Sequence, residues 1–134
     1  MRYPTGEKGE GTMILITGGA GSGKRGFART LGYTDMDMAD AALDGRPVIF
    51  HTERLTMADP GSVAALRRAL KEKEIVICSE VGSGVIPLDP RERRGREATG
   101  RLCILLAQDA EAVVRMVCGI PCVIKGTLPS RFSL

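Results

Sequence analysis

The stretch Met13-Ile14-Leu15-Ile16-Thr17-Gly18-Gly19-Ala20-Gly21-Ser22-Gly23-Lys24 decides how this chain is read. Its first five residues are apolar and rich in β-branched side chains, the pattern of a strand buried in a parallel sheet. The next seven fit G-x-x-x-x-G-K, and Phe27, Ala28 and Leu31 then carry a helical spacing that stops near Gly32. Strand, glycine loop and helix in that order form the setting in which such a loop holds phosphate. The glycines let the backbone curl so that several N–H groups converge on phosphate oxygens. The start of the helix adds partial positive charge, and Lys24 neutralises the β- and γ-phosphates. A glycine-rich turn that happens to end in lysine is the alternative, but here strand, spacing and helix agree. The loop predicts a purine nucleoside triphosphate, GTP or ATP, on Gly18, Gly19, Ala20, Gly21, Ser22, Gly23 and Lys24.

Arg25 breaks the pattern. The residue after the lysine is ordinarily Ser or Thr, whose hydroxyl ligates Mg²⁺. An arginine cannot ligate a cation, and it puts positive charge where the metal would sit. Three alternatives stay open: Mg²⁺ held by carboxylates and water, Arg25 in partial replacement of it, or chemistry lost. Arg25 touches the nucleotide in the second.

Working outward, residues 35–43 predict a helix begun by Asp35 and Asp37 and ended at Asp44-Gly45. Arg46-Pro47 leads into a second strand, Val48-Ile49-Phe50-His51. Asp59-Pro60 reads as an N-cap with proline in the first turn, followed by Val63, Leu66 and Leu70 at helical spacing. Ile75-Val76-Ile77-Cys78 is a third apolar strand running into Ser79-Glu80, and the loop VGSGVIPLDP leads to a helix over 91–107. Ala98, Leu102, Leu105 and Leu106 give that helix an apolar face. The run AVVRMVC-GIP-CVIKG predicts two strands joined by a tight turn. Strands alternating with helices imply an α/β fold, a mainly parallel sheet with helices on both faces and a C-terminal antiparallel hairpin strand. One domain is expected over 13–126, between a flexible N-terminal tail, 1–12, and a C-terminal tail, 127–134, that carries no readable signal.

At 134 residues, 43% hydrophobic and 26% charged, the composition is that of a globular domain. No run approaches the ~18 apolar residues of a membrane span. The opening MRYPTGEKGEGT lacks the apolar region of a secretory signal, so a cytoplasmic location is expected, and Met13 is a candidate natural start. The formal charge of +3, aromatics at 4% and the absence of Trp argue against nucleic acid and suit a small anionic ligand. Cys78, Cys103, Cys118 and Cys122 form no CxxC pair and are expected reduced, although Cys118 and Cys122 could face each other across the hairpin.

Three stretches give the sequence a family likeness: Met13–Lys24; Glu80-Val81-Gly82-Ser83-Gly84-Val85-Ile86-Pro87; and Arg96 through Gly100-Arg101 to Val117-Cys118-Gly119-Ile120-Pro121 and Ile124-Lys125. On these residues the chain resembles the adenosylcobinamide kinase/adenosylcobinamide-phosphate guanylyltransferase (CobU) family. The resemblance implies a RecA-like P-loop fold and a homo-oligomer, a trimer. It also implies phosphorylation of the adenosylcobinamide aminopropanol hydroxyl, with GMP transfer to that phosphate through a guanylylated histidine. Adenosylcobinamide or a related corrinoid, a nucleoside triphosphate and Mg²⁺ are the implied ligands.

The departures are specific. The chain is shorter than the family norm between the loop helix and residue 47, the region that holds a strand and the nucleotidylated histidine in typical members. The only histidine is His51, which is the nucleophile candidate by default and otherwise a partly buried strand-end residue. An Asn expected after Gly100-Arg101 is replaced by Cys103. Glu80, at a strand end, is a candidate to polarise a nucleophile or to orient Mg²⁺, or else it holds the following turn. Glu53 is a second candidate for the metal. Val81, Gly82 and Gly84 are expected against the nucleotide, the glycines allowing close backbone approach. Arg91, Arg93, Arg94 and Arg96 either reach a phosphate or form a solvated helix face.

Overall fold

A computed structural model describes residues 12–81 and 89–132. Six strands form one sheet: β1 (Ile14–Gly18), β2 (Met38–Asp40), β3 (Val48–Phe50), β4 (Ile75–Ser79), β5 (Ala112–Val117) and β6 (Ile120–Lys125). Their spatial order is β2-β3-β4-β1-β5-β6, with every pairing parallel except β5–β6. The expected α/β P-loop architecture is therefore the one observed. β1 lies between β4 and β5, so the chain leaves the sheet centre for its far edge, returns, and then crosses to the other side. Such a switch in direction opens a crevice at the carboxyl ends of the central strands.

Four α-helices lie among the described residues: α1 (Lys24–Thr30), α2 (Thr52–Ala58), α3 (Val63–Leu70) and α4 (Pro90–Asp109). Alternate strand residues face opposite sides and build two cores. Ile14, Ile16, Val48, Ile75, Ile77 and Val114 pack with Phe27, Ala28 and Leu31 of α1. Leu15, Ile49, Val76 and Val113 pack with Leu66 and Leu70 of α3 and Leu102 and Leu106 of α4. α4 is capped by Asp89, whose side chain accepts from the Arg91 amide, with Pro90 next. α2 and α4 approach closely because residue 95 is glycine: a Cβ there would lie 2.8 Å from Met57 Sδ and 3.1 Å from Met57 Cα.

Several expectations are corrected. Residues 35–43 form no α-helix; Asp35–Asp37 make one 3₁₀ turn, and Met38–Asp40 pair with β3 as an edge strand. Methionine and alanine favour helix in isolation, but pairing of Met38 with Val48 and Ala39 with Ile49 outweighs that weak preference. The second strand ends at Phe50, and α2 begins immediately after His51. The turn at Pro60 is a 3₁₀ turn, Pro60–Ser62, leading into α3. The hairpin turns at Cys118-Gly119 rather than through Gly119–Pro121; Cys118 and Cys122, expected reduced, are both exposed free thiols. Within the segment expected as a tail, Leu128 packs against the first core and Phe132, 4% exposed, joins it, with its ring 6.1 Å from that of Tyr33. The expected tail over 1–12 falls outside the described residues except for Thr12, as do Gly82 and Gly84. No described helix is long and apolar enough to cross a membrane.

Candidate active site

All the strand ends that matter open on one side. β1 runs out at Gly18 into the loop, and the loop closes on Gly23, the N-cap of α1. Gly21 and Gly23 hold φ of 71° and 94°, conformations that L side chains rarely adopt. Ser22 Oγ is buried without a hydrogen-bond partner. The loop is braced from both sides: Glu80 N–H donates to Gly18 O at 2.9 Å, and Gly119 N–H donates to Ser22 O at 3.0 Å. A cleft of about 610 Å³ lies in front of it, lined by loop residues 20–26 together with Phe50, His51, Glu53, Ser79, Glu80 and Val81 among others. The cleft thus gathers residues from the loop and from the ends of β3 and β4.

Lys24 folds back, its Nζ donating to Gly19 O at 2.5 Å. Burial lowers its pKa from the ordinary 10.5, with Glu53 and Glu80 opposing the shift. The ammonium form that attracts phosphate is therefore lost at a lower pH than for a free lysine. Triphosphate affinity is expected to decline early as pH rises into the alkaline range, and Lys24→Arg, whose side chain does not titrate, should flatten the profile. Calorimetric titration with ATP across that range reads both.

His51 sits just beyond β3 in the left-handed region (φ 57°, ψ 36°), where histidine is tolerated better than most residues. Its Nδ1 lies 2.8 Å from Asp40 Oδ1, at the end of β2, and its ring packs edge-on to Phe50. The hydrogen bond to His51 pulls the Asp40 carboxyl below its usual range, so an ionised carboxylate accepts from Nδ1–H. In the neutral tautomer that donates from Nδ1, the other ring nitrogen, Nε2, carries the lone pair. Arg54 also reaches Asp40, at 3.3 Å.

Glu80 and Glu53 are both engaged. Arg115, on β5, holds the Glu80 carboxylate with two bonds, Nε to Oε1 at 2.7 Å and Nη2 to Oε2 at 3.1 Å. Ser79 N–H donates to Glu53 Oε1 at 3.1 Å. Among the described residues no group of three or more His, Cys, Asp or Glu side chains could hold a metal ion. With Arg25 in the hydroxyl's place, the described residues do not offer the usual protein ligand for Mg²⁺.

The arginines at the start of α4 do not line the cleft; Arg96 pairs with Glu92 at 3.2 Å on the helix surface. Cys103 is not in the cleft either. Its Sγ lies 3.0 Å from Cys78 Sγ. That contact, then burial, pushes the Cys78 thiol well up, and the same contact lowers Cys103. Sequence reasoning missed Asp40, hidden inside a supposed helix, and Arg115. The signal for Arg115 was available: it is the one charge in the apolar run AVVRMV, level with Thr17 of β1 beside the loop.

The sequence model of the family described as cobinamide kinase / cobinamide phosphate guanyltransferase (CobU) matches residues 47–124, more than half of the chain. The chain belongs to the CobU family. The matched span contains His51, Glu53, Glu80 and Arg115, and the glycine loop precedes it. No curated protein matches the chain at a significant level.

Proposed function

We propose that this CobU-family protein transfers the γ-phosphoryl group of GTP or ATP to the aminopropanol hydroxyl of adenosylcobinamide or a related corrinoid. The observation that carries the reading is the meeting, in one cleft, of the lysine-tipped loop with Glu80 and His51, whose ring Asp40 holds from outside the cleft lining. Loop amides and Lys24 hold the triphosphate and stabilise charge on the transferring group. The substrate hydroxyl oxygen bonds to the γ-phosphorus as the bond to the β–γ bridging oxygen breaks. The hydroxyl proton passes to a cleft base, Glu80 or His51 Nε2, and a nucleoside diphosphate leaves. Glu80 acts here once it is released from Arg115.

The Asp40–His51 pair also favours the guanylyl step. His51 Nε2 would attack the α-phosphorus of GTP, releasing pyrophosphate. The phosphate oxygen of the corrinoid would then displace His51 and take the GMP. Association as a trimer, expected by resemblance, is read by analytical ultracentrifugation.

A second reading has its own support. Arg25 in place of the metal-ligating hydroxyl, and two carboxylates already engaged, suit a nucleotide-binding module that has lost turnover and acts as a regulator or partner subunit. Incubation with adenosylcobinamide and γ-labelled ATP or GTP, with and without Mg²⁺, separates the two. Label in the corrinoid supports the kinase, and nucleotide binding without any transfer under either condition leaves the module. With α-labelled GTP, label retained on the denatured wild type and lost in His51→Asn supports the guanylyl step.

A further inference from the structure

The cations of the cleft are unevenly paired. Arg29 is bound to Asp35 at 2.8 Å and Arg54 to Asp40 at 3.3 Å. Among the described residues Lys24 and Arg25 are in no salt bridge. Lys24 meets a backbone carbonyl and feels Glu53 and Glu80 only at a distance. Arg25 stacks on an aromatic ring and acts only at a distance on Asp40, which His51 and Arg54 already hold. The Arg25 guanidinium lies 4.6 Å from the centroid of Phe50, and both residues line the cleft. Phe50 is 8% exposed and anchored in the core, so the platform under the guanidinium is fixed. A planar, always-charged guanidinium stacks on such a face and keeps its N–H donors for an anion. Of the cleft carboxylates, Glu80 is held through both oxygens by Arg115, and Glu53 accepts from the Ser79 amide at Oε1.

We infer that Arg25, held on Phe50, takes the place of the divalent cation, so that the cleft selects a free nucleoside triphosphate rather than its metal complex. This rests on the reading of Gly18–Lys24 as a triphosphate cradle and adds to it the identity of the bound species. Two side-chain cations outside any described salt bridge, one on each side of the Lys24–Arg25 peptide, supply the countercharge. A metal ion brought in on the phosphates would meet the guanidinium's like charge, with no hydroxyl after Lys24 to hold it in exchange.

Calorimetric titration of the full chain with GTP and with ATP, in EDTA and again in excess Mg²⁺, tests it. In the wild type the affinity in EDTA should equal or exceed that in Mg²⁺. Arg25→Thr, which restores a hydroxyl at this position, should lose roughly ten- to a hundred-fold in EDTA and regain affinity when Mg²⁺ is added. Arg25→Lys, which keeps the charge, should stay indifferent to the metal. Circular dichroism melts establish that the variants fold; if Arg25→Thr does not, the wild-type comparison still decides. Wild-type affinity that rises about ten-fold or more with Mg²⁺ overturns the inference while leaving the cradle intact. Absence of binding in both buffers removes the cradle, and the inference with it.

Discussion

Lys24→Ala is expected to weaken GTP and ATP binding by about 1.5–3 kcal/mol, the value of a hydrogen bond to a charged group, which is roughly ten- to a hundred-fold in Kd. The Nζ ammonium charge at this point meets the most highly charged part of the ligand, and the side chain is partly buried, so water screens it less than a surface lysine. If phosphoryl transfer occurs, kcat should fall by about 10²–10³-fold, the usual result of removing one donor to a developing charge. Calorimetry gives the binding part and initial rates the catalytic part. The variant should fold normally, since Lys24 holds only a loop carbonyl, Gly19 O. An unchanged Kd would mean that the loop does not grip phosphate.

Leu102→Ala should cost about 2–5 kcal/mol of folding free energy, a large share of the ~5–15 kcal/mol of a typical domain. Leu102 is fully buried where α4 covers the sheet, among Leu15, Val76, Cys78 and Val113. Truncation there removes buried methyl groups and leaves a cavity that a rigid sheet cannot close. Ile104, two residues along the same helix, is 61% exposed and supplies the control. Ile104→Ala should stay within about 0.5 kcal/mol of wild type. Urea unfolding followed by circular dichroism distinguishes them, and equal midpoints for the two variants would contradict the packing described.

The central strands were legible because each is a short apolar run with turn residues after it, and a strand buried on both faces has no other signature. α4 was legible from its spaced apolar residues, Ala98, Leu102, Leu105 and Leu106. α2 was not, for a physical reason. The side chains it buries include Thr52 and Thr56, whose hydroxyls are satisfied by Ile77 O at 3.0 Å and by Thr99 Oγ1 at 2.6 Å. A helix face that buries hydroxyls shows no hydrophobic period, so HTERLTMA reads as the end of a strand and a loop. β2 was missed because three residues at a sheet edge take their conformation from the neighbouring strand, which no local pattern reports.

The same division holds in the site. The Gly18–Lys24 loop is contiguous, and its chemistry can be read from spacing alone. The partners of His51 and Glu80 come from elsewhere: Asp40 is 11 residues away along the chain and Arg115 is 35 away. Those meetings depend on strand register, which a single sequence does not specify. What the sequence did carry at each of these positions was the residue type, a lone histidine and an arginine within an apolar strand.

The bond from the Gly119 amide to Ser22 has a consequence for how this protein could shrink in evolution. Gly23 also lies close to it, since a Cβ there would come within 3.3 Å of Gly119 Cα. The phosphate-binding bend is thus propped by the tip of a ribbon nearly a hundred positions downstream. Length can be lost around the far edge of the sheet without disturbing that prop. Deletions that remove the turn between the last two strands would take the prop away, so that turn is tied to the loop's shape.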